Sequence, residues 1–214
     1  DLIRYAGKGF IIIGSGISTP GMVSESGVVI TGANNIPGWS GTDIRTAVEK
    51  EFGLMCRVEN DGTSLVLGES IFGNGVGFKN IICLALGTGL GGGMIFNGKV
   101  YRGANGYAGE FGHMIVENNG LECSCGNHGC IEAYASSIGV LNLTKDILKE
   151  KDSEDLTGKS PKEIYQLSMS GNKTAKKITQ RVGYYLGLAI ASIINIFDPE
   201  ILLIGGGLSK NGEM

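Results

Sequence analysis

The chain has 214 residues, which is enough for one large domain or two small ones with a sizeable core. Hydrophobic residues make up 42% and charged residues 18%, and this composition excludes a disordered chain. The net charge of −3 argues against general nucleic-acid binding, because such proteins carry a basic excess. Glycine is the outlier at 37 residues, against a usual share of about 7%.

Apolar length and cysteine usage indicate the compartment. The most apolar stretch, 186–197, is too short for a membrane span, which needs roughly 20 residues. No basic region followed by an apolar core opens the chain, so we expect no secretory signal. Three of the five cysteines lie within residues 123–130, which favours a metal site in a reducing compartment over disulfides. We therefore expect a cytoplasmic protein.

Predicted strands and helices alternate along the chain. Short apolar runs predict strands, and apolar positions with helical spacing and capping residues predict helices. In chain order we expect a buried strand that runs into a glycine-rich loop over 9–18, a strand over 28–31, a helix capped by Thr42 or Asp43 that extends to 52, a strand over 54–59 and a helix over 63–72. A buried strand over 81–86, a hairpin at Asn97-Gly98 and helical segments over 132–135 and 138–149 follow. The last elements are a polar surface connection over 156–160, a long helix over 174–197 and a strand over 201–204. The alternation indicates an α/β fold, and the hairpin indicates a mixed sheet.

A glycine-rich segment follows the strand that ends at Leu86. Residues 87–92 match G-x-G-x-x-G, but a dinucleotide site of this type needs a helix next, and a strand follows here. We therefore exclude a Rossmann site. Two interpretations remain open. The glycines form an anion-binding nest, with the Thr88 hydroxyl on a phosphate, or they only satisfy the backbone of a tight hairpin.

The cysteine cluster has the pattern C-x-C-x4-C over Cys123, Cys125 and Cys130. Three thiolates need a fourth partner to complete the tetrahedral shell that zinc prefers. His113 lies ten residues upstream, whereas His128 lies inside the loop and is poorly placed to reach the same ion. We favour His113 and a structural zinc ion, and the alternative is a set of reduced structural cysteines.

Three carboxylates accompany these motifs. Glu110 precedes His113 by three residues and Glu132 follows Cys130 by two, so a metal at those ligands would hold both acids on one scaffold. Carboxylates accept several hydroxyl hydrogen bonds, which suits a sugar, although solvated surface acids are the alternative. Asp61 lies between a predicted strand and a predicted helix, as a helix N-cap or as a general base.

An ordered series of motifs extends from Gly16 to Ser209. These are Thr19-Pro20-Gly21, Asn34-Asn35-Ile36-Pro37-Gly38-Trp39, Glu59-Asn60-Asp61, Leu86-Gly87-Thr88-Gly89-Leu90-Gly91-Gly92-Gly93, Gly98-Lys99 with Arg102-Gly103, Gly109-Glu110-Phe111-Gly112-His113, the cysteine loop through Glu132, and Ile204-Gly205-Gly206-Gly207-Leu208-Ser209. Together they resemble the ROK family of bacterial sugar kinases and related repressors, in the actin-like ATPase superfamily. The likeness is to members of the glucokinase and N-acetylmannosamine kinase type.

The resemblance implies two actin-like ATPase domains of the ribonuclease H-like type around a cleft that holds sugar and ATP. We place a partial N-terminal domain at 1–73 and a larger C-terminal domain with the zinc loop at 74–214. The family's first strand with its D-x-G-G-T loop and its last helix are absent from this sequence. We therefore expect an incomplete N-terminal domain and a chain that is part of a longer protein.

The resemblance also implies the reaction, which is Mg²⁺-dependent transfer of the ATP γ-phosphoryl group to a hydroxyl of a hexose or N-acetylhexosamine. Carried over by position, the resemblance makes Asp61 the catalytic base and implies that the sugar ligands are Gly21, Asn35, Asn60, Glu110, His113 and Glu132. It implies a nucleotide site that contains Thr88, Gly89, Gly206 and Gly207. It also implies a structural zinc ion bound by His113, Cys123, Cys125 and Cys130. It further implies a homodimer. After Asp61 the sequence departs from the family's Ala-rich pattern with Gly62-Thr63-Ser64.

Three functions fit these motifs. The first is an ATP-dependent sugar kinase, and the second is the sugar-sensing domain of a ROK-type repressor with an upstream helix-turn-helix. The third is a zinc-stabilised sugar-binding domain without turnover. Asn60-Asp61 favours the kinase, because a sensor can dispense with a base. For this segment we expect sugar and ATP as partners, and neither a membrane nor nucleic acid.

Overall fold

The computed structural model describes residues 9, 11–31 and 36–211, and it shows an α/β fold with mixed sheets, as predicted. The strands are β1 (Ser15–Thr19), β2 (Met22–Val23), β3 (Val29–Thr31), β4 (Cys56–Asn60), β5 (Ile81–Leu86), β6 (Leu90–Phe96), β7 (Lys99–Val100) and β8 (Ile201–Gly205). The α-helices are α1 (Ile44–Phe52), α2 (Asp61–Phe72), α3 (Ser137–Ile147), α4 (Pro161–Met169) and α5 (Lys173–Phe197), and short 3₁₀ turns cover Phe111–His113, Ile131–Ala133 and Leu208–Asn211. Within these described ranges, no helix combines the length and apolar character that a membrane crossing requires.

The N-terminal part is built on the parallel pair β1–β4, with the antiparallel pair β2–β3 beside it. Helix α1 begins at its predicted cap, Asp43, and ends at Gly53, which has a left-handed φ of 62°. Because β1 and β4 are parallel, Thr19 lies opposite Asn60 at their carboxyl ends. A small core lies behind these strands and consists of Val29, Ile44, Cys56 and Val58.

The C-terminal part is built on a four-stranded sheet of order β7-β6-β5-β8. Strand β5 runs antiparallel to β6 and parallel to β8, so β5 and β8 end at the same edge. Alternate residues of β5 enter two different cores, as the period of two along a strand dictates. One core is shared with α3, α4 and α5 and contains Ile82, Leu84, Leu143, Ile164, Ile178 and Ile193, and the other is shared with α2 and contains Val66, Ile81, Cys83 and Ile95.

The prediction of a buried strand that runs into a glycine-rich loop over 9–18 is wrong, because the strand lies in the predicted loop. Residues 11–14 form no strand, and Ile11 and Ile13 are 89% and 84% exposed. Strand β1 begins only at Ser15, opposite Cys56, where β4 begins. The residues that would pair with 11–13 belong to the end of α1 and the turn after it, so no partner is available there.

Helix α4 is absent from the sequence-based prediction. A full capping box begins it: Ser160 Oγ accepts a hydrogen bond from the Glu163 backbone N–H, and the Glu163 carboxylate accepts one from the Ser160 N–H. The segment before it, 156–160, is an irregular connection as predicted, but its start is not on the surface, since Leu156 is only 3% exposed and belongs to the main core. The pattern Ser-Pro-x-Glu was the signal that predicts this helix.

Glycines bring α2 into direct contact with β6. A Cβ atom added to Gly93 would lie 2.6 Å from the Gly62 carbonyl oxygen and 2.8 Å from Val66 Cγ1. A Cβ atom at Gly62 would in turn collide with the backbone of Gly92. The backbones of helix and strand therefore approach more closely than side chains would allow, and this contact fixes Asp61 above the sheet.

We expect Gly62→Ala to lower the free energy of unfolding by about 1–3 kcal/mol, because the added methyl group forces α2 away from β6. Gly68→Ala, in the same helix, has nothing within 4 Å of its added Cβ and is expected to stabilise by up to about 1 kcal/mol through helix propensity. Urea unfolding of both variants measures the difference. Equal stability of the two variants would contradict the close approach.

Candidate active site

Asn60 is the residue that caps α2. Its Oδ1 accepts hydrogen bonds from the backbone N–H groups of Gly62 at 2.9 Å and Thr63 at 3.2 Å. Its Nδ2 donates to the carbonyl oxygen of Gly21 at 3.0 Å, which ties the end of β4 to the β1–β2 turn. The alternative that Asp61 is the N-cap is therefore wrong, because Asn60 fills that position.

Asp61 is the first residue of α2, and its side chain is free of the capping role. One carboxylate oxygen, Oδ1, accepts from the Gly62 N–H at 2.8 Å. The same oxygen lies 3.9 Å from where a Cβ of Gly91 would be, so the carboxylate faces strand β6. The residue is exposed at the start of α2. A carboxylate held in this way is a suitable proton acceptor for a hydroxyl in the adjoining cleft.

The glycine segment forms the turn of the β5–β6 hairpin. Leu86 pairs with Leu90, so the loop consists of Gly87, Thr88 and Gly89, and the strand that follows confirms that this is no Rossmann site. The structure agrees with the hairpin interpretation, and the anion-binding nest stays a prediction. The glycines of β6 satisfy close packing, whereas residue 88 is exposed at the turn with its hydroxyl available to a ligand.

Two other segments lie against this turn. The first backbone N–H groups of α3, at Ser137 and Ile138, donate to the carbonyl oxygens of Gly87 at 3.0 Å and Thr88 at 3.2 Å. At the end of β8, Gly206 has a φ of 98°, and a Cβ there would collide with the backbone of β5 at Leu86. The structure thus brings together the four residues assigned to the nucleotide site, namely Thr88, Gly89, Gly206 and Gly207.

The four metal-ligand candidates also lie together. The Nδ1 atom of His113 is 3.7 Å from Cys123 Sγ, Cys125 Sγ is 3.7 Å from Cys130 Sγ, and all four ligand atoms lie within 4.8 Å of one another. Thiolates around one tetrahedral zinc ion are about 3.8 Å apart, since each Zn–S bond is about 2.3 Å, whereas a disulfide is about 2.05 Å. The donor set and its spacing fit a structural zinc ion.

His113 connects this cluster to an acid. Its Nδ1 is directed at the thiols, and its Nε2 lies 3.9 Å from Glu110 Oε2 across one 3₁₀ turn. Burial raises the pKa of the Glu110 carboxyl, the nearby carboxylates of Asp61 and Glu132 add to that rise, and His113 opposes it. Glu110 therefore lies near two other acids, an arrangement typical of a site for hydroxyl groups.

Glu132 links the cysteine loop to the glycine hairpin. Its Oε2 accepts from the Leu90 backbone N–H at 3.0 Å, and its Oε1 accepts from the Ser124 hydroxyl at 3.0 Å. Ser124 lies between two of the candidate zinc ligands, and sequence reasoning assigned it no role. Its position in the C-x-C motif was the available signal.

Sequence reasoning also assigned no role to the pair Glu59 and Arg102. They form an ion pair, and both line a cleft together with Asn60, Gly92 and Glu110. Both belong to motifs quoted above, which was the only signal. The remaining sugar-ligand candidate, Asn35, lies outside the described residues.

Residues 2–214 match the model of the family described as "ROK family". The chain belongs to the ROK family. This ROK chain is 37% identical over 207 residues to a glucokinase of Thermotoga maritima, covering 93% of this chain and 65% of that protein. It is 34% identical to a glucokinase of Streptomyces coelicolor, with 99% and 70% covered, and 35% identical to a xylose repressor of Caldicellulosiruptor bescii, with 95% and 52% covered. The ROK chain thus spans slightly less than two thirds of the Thermotoga maritima glucokinase and about half of the xylose repressor.

Solved structures place the fold in the same family. A ROK glucokinase from Streptomyces griseus, in complex with glucose and AMPPNP, superposes with a TM-score of 0.84 at 32% identity, covering 99% of this chain and 70% of that one. A ROK transcriptional regulator, a homologue of the E. coli MLC protein, superposes with a TM-score of 0.83 at 32% identity, covering 98% and 53%. The α/β fold of this ROK chain is therefore that of both the kinases and the regulators.

Proposed function

We propose that this protein is an ATP-dependent kinase that phosphorylates a hydroxyl of a hexose or N-acetylhexosamine. The observation that carries the proposal is the position of Asp61, whose carboxylate is freed from capping by Asn60 and faces the glycine hairpin beside Glu110. The likeness to glucokinases supports the same activity.

In the proposed reaction, Asp61 accepts the proton of the sugar hydroxyl while the hydroxyl oxygen attacks the γ-phosphorus of ATP. A phosphorus–oxygen bond forms to the sugar, the bond to the β-phosphate oxygen breaks, and ADP leaves with that electron pair. Such transfers depend on positioning and on stabilising charge. The sugar hydroxyls that do not react are held, in this proposal, by Gly21, Asn35, Asn60, Glu110, His113 and Glu132.

The hairpin at Thr88 and Gly89 and the turn at Gly206 and Gly207 would hold the phosphates through backbone N–H groups and the Thr88 hydroxyl. Mg²⁺ would arrive with ATP as part of the substrate and neutralise phosphate charge.

A zinc ion at His113, Cys123, Cys125 and Cys130 would be structural, because four protein ligands leave no open position. Its role is to orient the sugar ligands. With Nδ1 on the metal, His113 keeps Nε2 for a sugar oxygen or for Glu110. The sugar pocket therefore depends on the metal through both His113 and Glu132.

The second candidate function is a sugar sensor, supported by the likeness to a xylose repressor and to a ROK regulator. A sensor would use the same sugar ligands without turnover.

The proposal also includes a cytoplasmic location, a homodimer and a domain boundary at 73/74. The boundary stays a prediction, and α2, which precedes it, contributes Val66 to the core of the four-stranded sheet.

A coupled ADP-release assay on the complete gene product tests the proposal, with Mg-ATP and a panel of hexoses and N-acetylhexosamines. Turnover with one sugar, above the ATPase rate without sugar, is the expected result and names the substrate. Sugar binding by calorimetry without ADP release would replace the kinase with the sensor.

A further inference from the structure

We propose that Glu59 and Arg102 form a positioning pair that holds the loop 102–108 against strand β4 and thereby sets the affinity of the cleft for its sugar. The proposal rests on the sugar site proposed above. Neither residue is one of the proposed sugar, nucleotide or metal ligands.

The loop 102–108 has little of its own to fix its position. Its base is closed by one hydrogen bond, from the Ala108 N–H to the Arg102 carbonyl oxygen at 3.1 Å. Gly103 and Gly106 adopt left-handed φ values of 70° and 81°, and residues 102–107 are exposed. Glu110 follows the loop after one residue, Gly109, so the position of its carboxylate depends on how this loop is held.

The ion pair supplies the missing attachment. Arg102 Nη2 donates to Glu59 Oε2, across 43 positions in sequence, and the other oxygen of Glu59 accepts from the Asn60 backbone N–H at 3.1 Å. Within the described residues, no other side-chain hydrogen bond joins the loop to β4. The pair therefore connects the segment that leads to Glu110 with the one that leads to Asp61.

Its location in the cleft makes this connection relevant to binding. Glu59 and Arg102 line the same cleft as Asn60 and Glu110, and their side chains are 21% and 43% exposed. An ion pair exposed to this extent contributes little to global stability, because solvent screens it. Its effect is local: it reduces the ordering that the loop must undergo when a sugar binds.

We expect Arg102→Ala to raise the dissociation constant of the preferred sugar about 10-fold by calorimetry on the complete gene product. The KM for that sugar rises in parallel, while kcat and the KM for ATP change less than about 3-fold. The melting temperature shifts by less than about 2 °C. The double variant Glu59→Arg with Arg102→Glu restores sugar affinity to within about 3-fold of wild type, since the reversed pair can form.

Arg181→Ala is the matched control, because Arg181 forms a comparably exposed ion pair with Asp146 outside the cleft. It is expected to leave sugar affinity unchanged. Unchanged affinity in Arg102→Ala would overturn the proposal, and so would a charge-reversed pair that fails to restore binding. If the wild type binds sugar but releases no ADP, the kinase is wrong and the affinity series still decides this inference. If the wild type binds no sugar of the panel, both proposals fall.

Discussion

Asp61→Asn is expected to lower kcat for sugar phosphorylation by about 10²–10⁴-fold and to leave sugar affinity within about 3-fold. The amide keeps the shape of the side chain and can still interact with the Gly62 N–H, but it cannot accept the hydroxyl proton. A 10³-fold loss corresponds to about 4 kcal/mol of lost transition-state stabilisation. ADP release measures kcat, and calorimetry measures sugar binding.

Asp155→Asn provides the control for this experiment. The Asp155 carboxylate is exposed and accepts from the Thr157 N–H in a surface turn, away from the cleft, so turnover should be unchanged. Full turnover in Asp61→Asn with intact sugar binding would remove Asp61 as the base. Loss of sugar binding in the same variant would instead make it a sugar ligand.

Cys130→Ser is expected to remove the zinc ion and to weaken sugar binding by about 10-fold or more. Cys130 is fully buried, and the 3₁₀ turn that carries Glu132 begins immediately after it. Without the metal, His113 and Glu132 lose the scaffold that orients them. Elemental analysis measures zinc per chain, and calorimetry measures the sugar affinity.

Cys56→Ser is the matched control, because Cys56 is also a buried free cysteine but lies in the N-terminal core. It should retain full zinc content. Where Cys130→Ser fails to fold, chelation of the wild type followed by zinc addition gives the same comparison, with affinity lost and then recovered. Zinc loss without a change in sugar affinity would show that the metal does not support the sugar pocket.

The apolar runs and the capping residues in the sequence predicted most strands and helices, because these elements depend on residues that are close together along the chain. The strand at 81–86 and the long helix to Phe197 were predictable from residues that are close in sequence. The structure of the first half of 9–18 was not predictable in this way, because a strand needs a neighbouring strand to pair with. The end of α1 and the turn after it lie opposite this apolar run. Such a partner is a property of the tertiary structure.

The sequence alone identified the candidates for the chemistry: the family motifs, the four metal-ligand candidates and the pair Asn60-Asp61. Only the tertiary structure decided how these candidates are arranged. It made Asn60 the cap, which frees Asp61, and it showed that glycines 62 and 93 are needed where two backbones meet. It also joined Arg102 to Glu59 across 43 positions of sequence. Spacing identifies residues held by one local segment, whereas contacts between distant segments depend on how the sheets and helices pack.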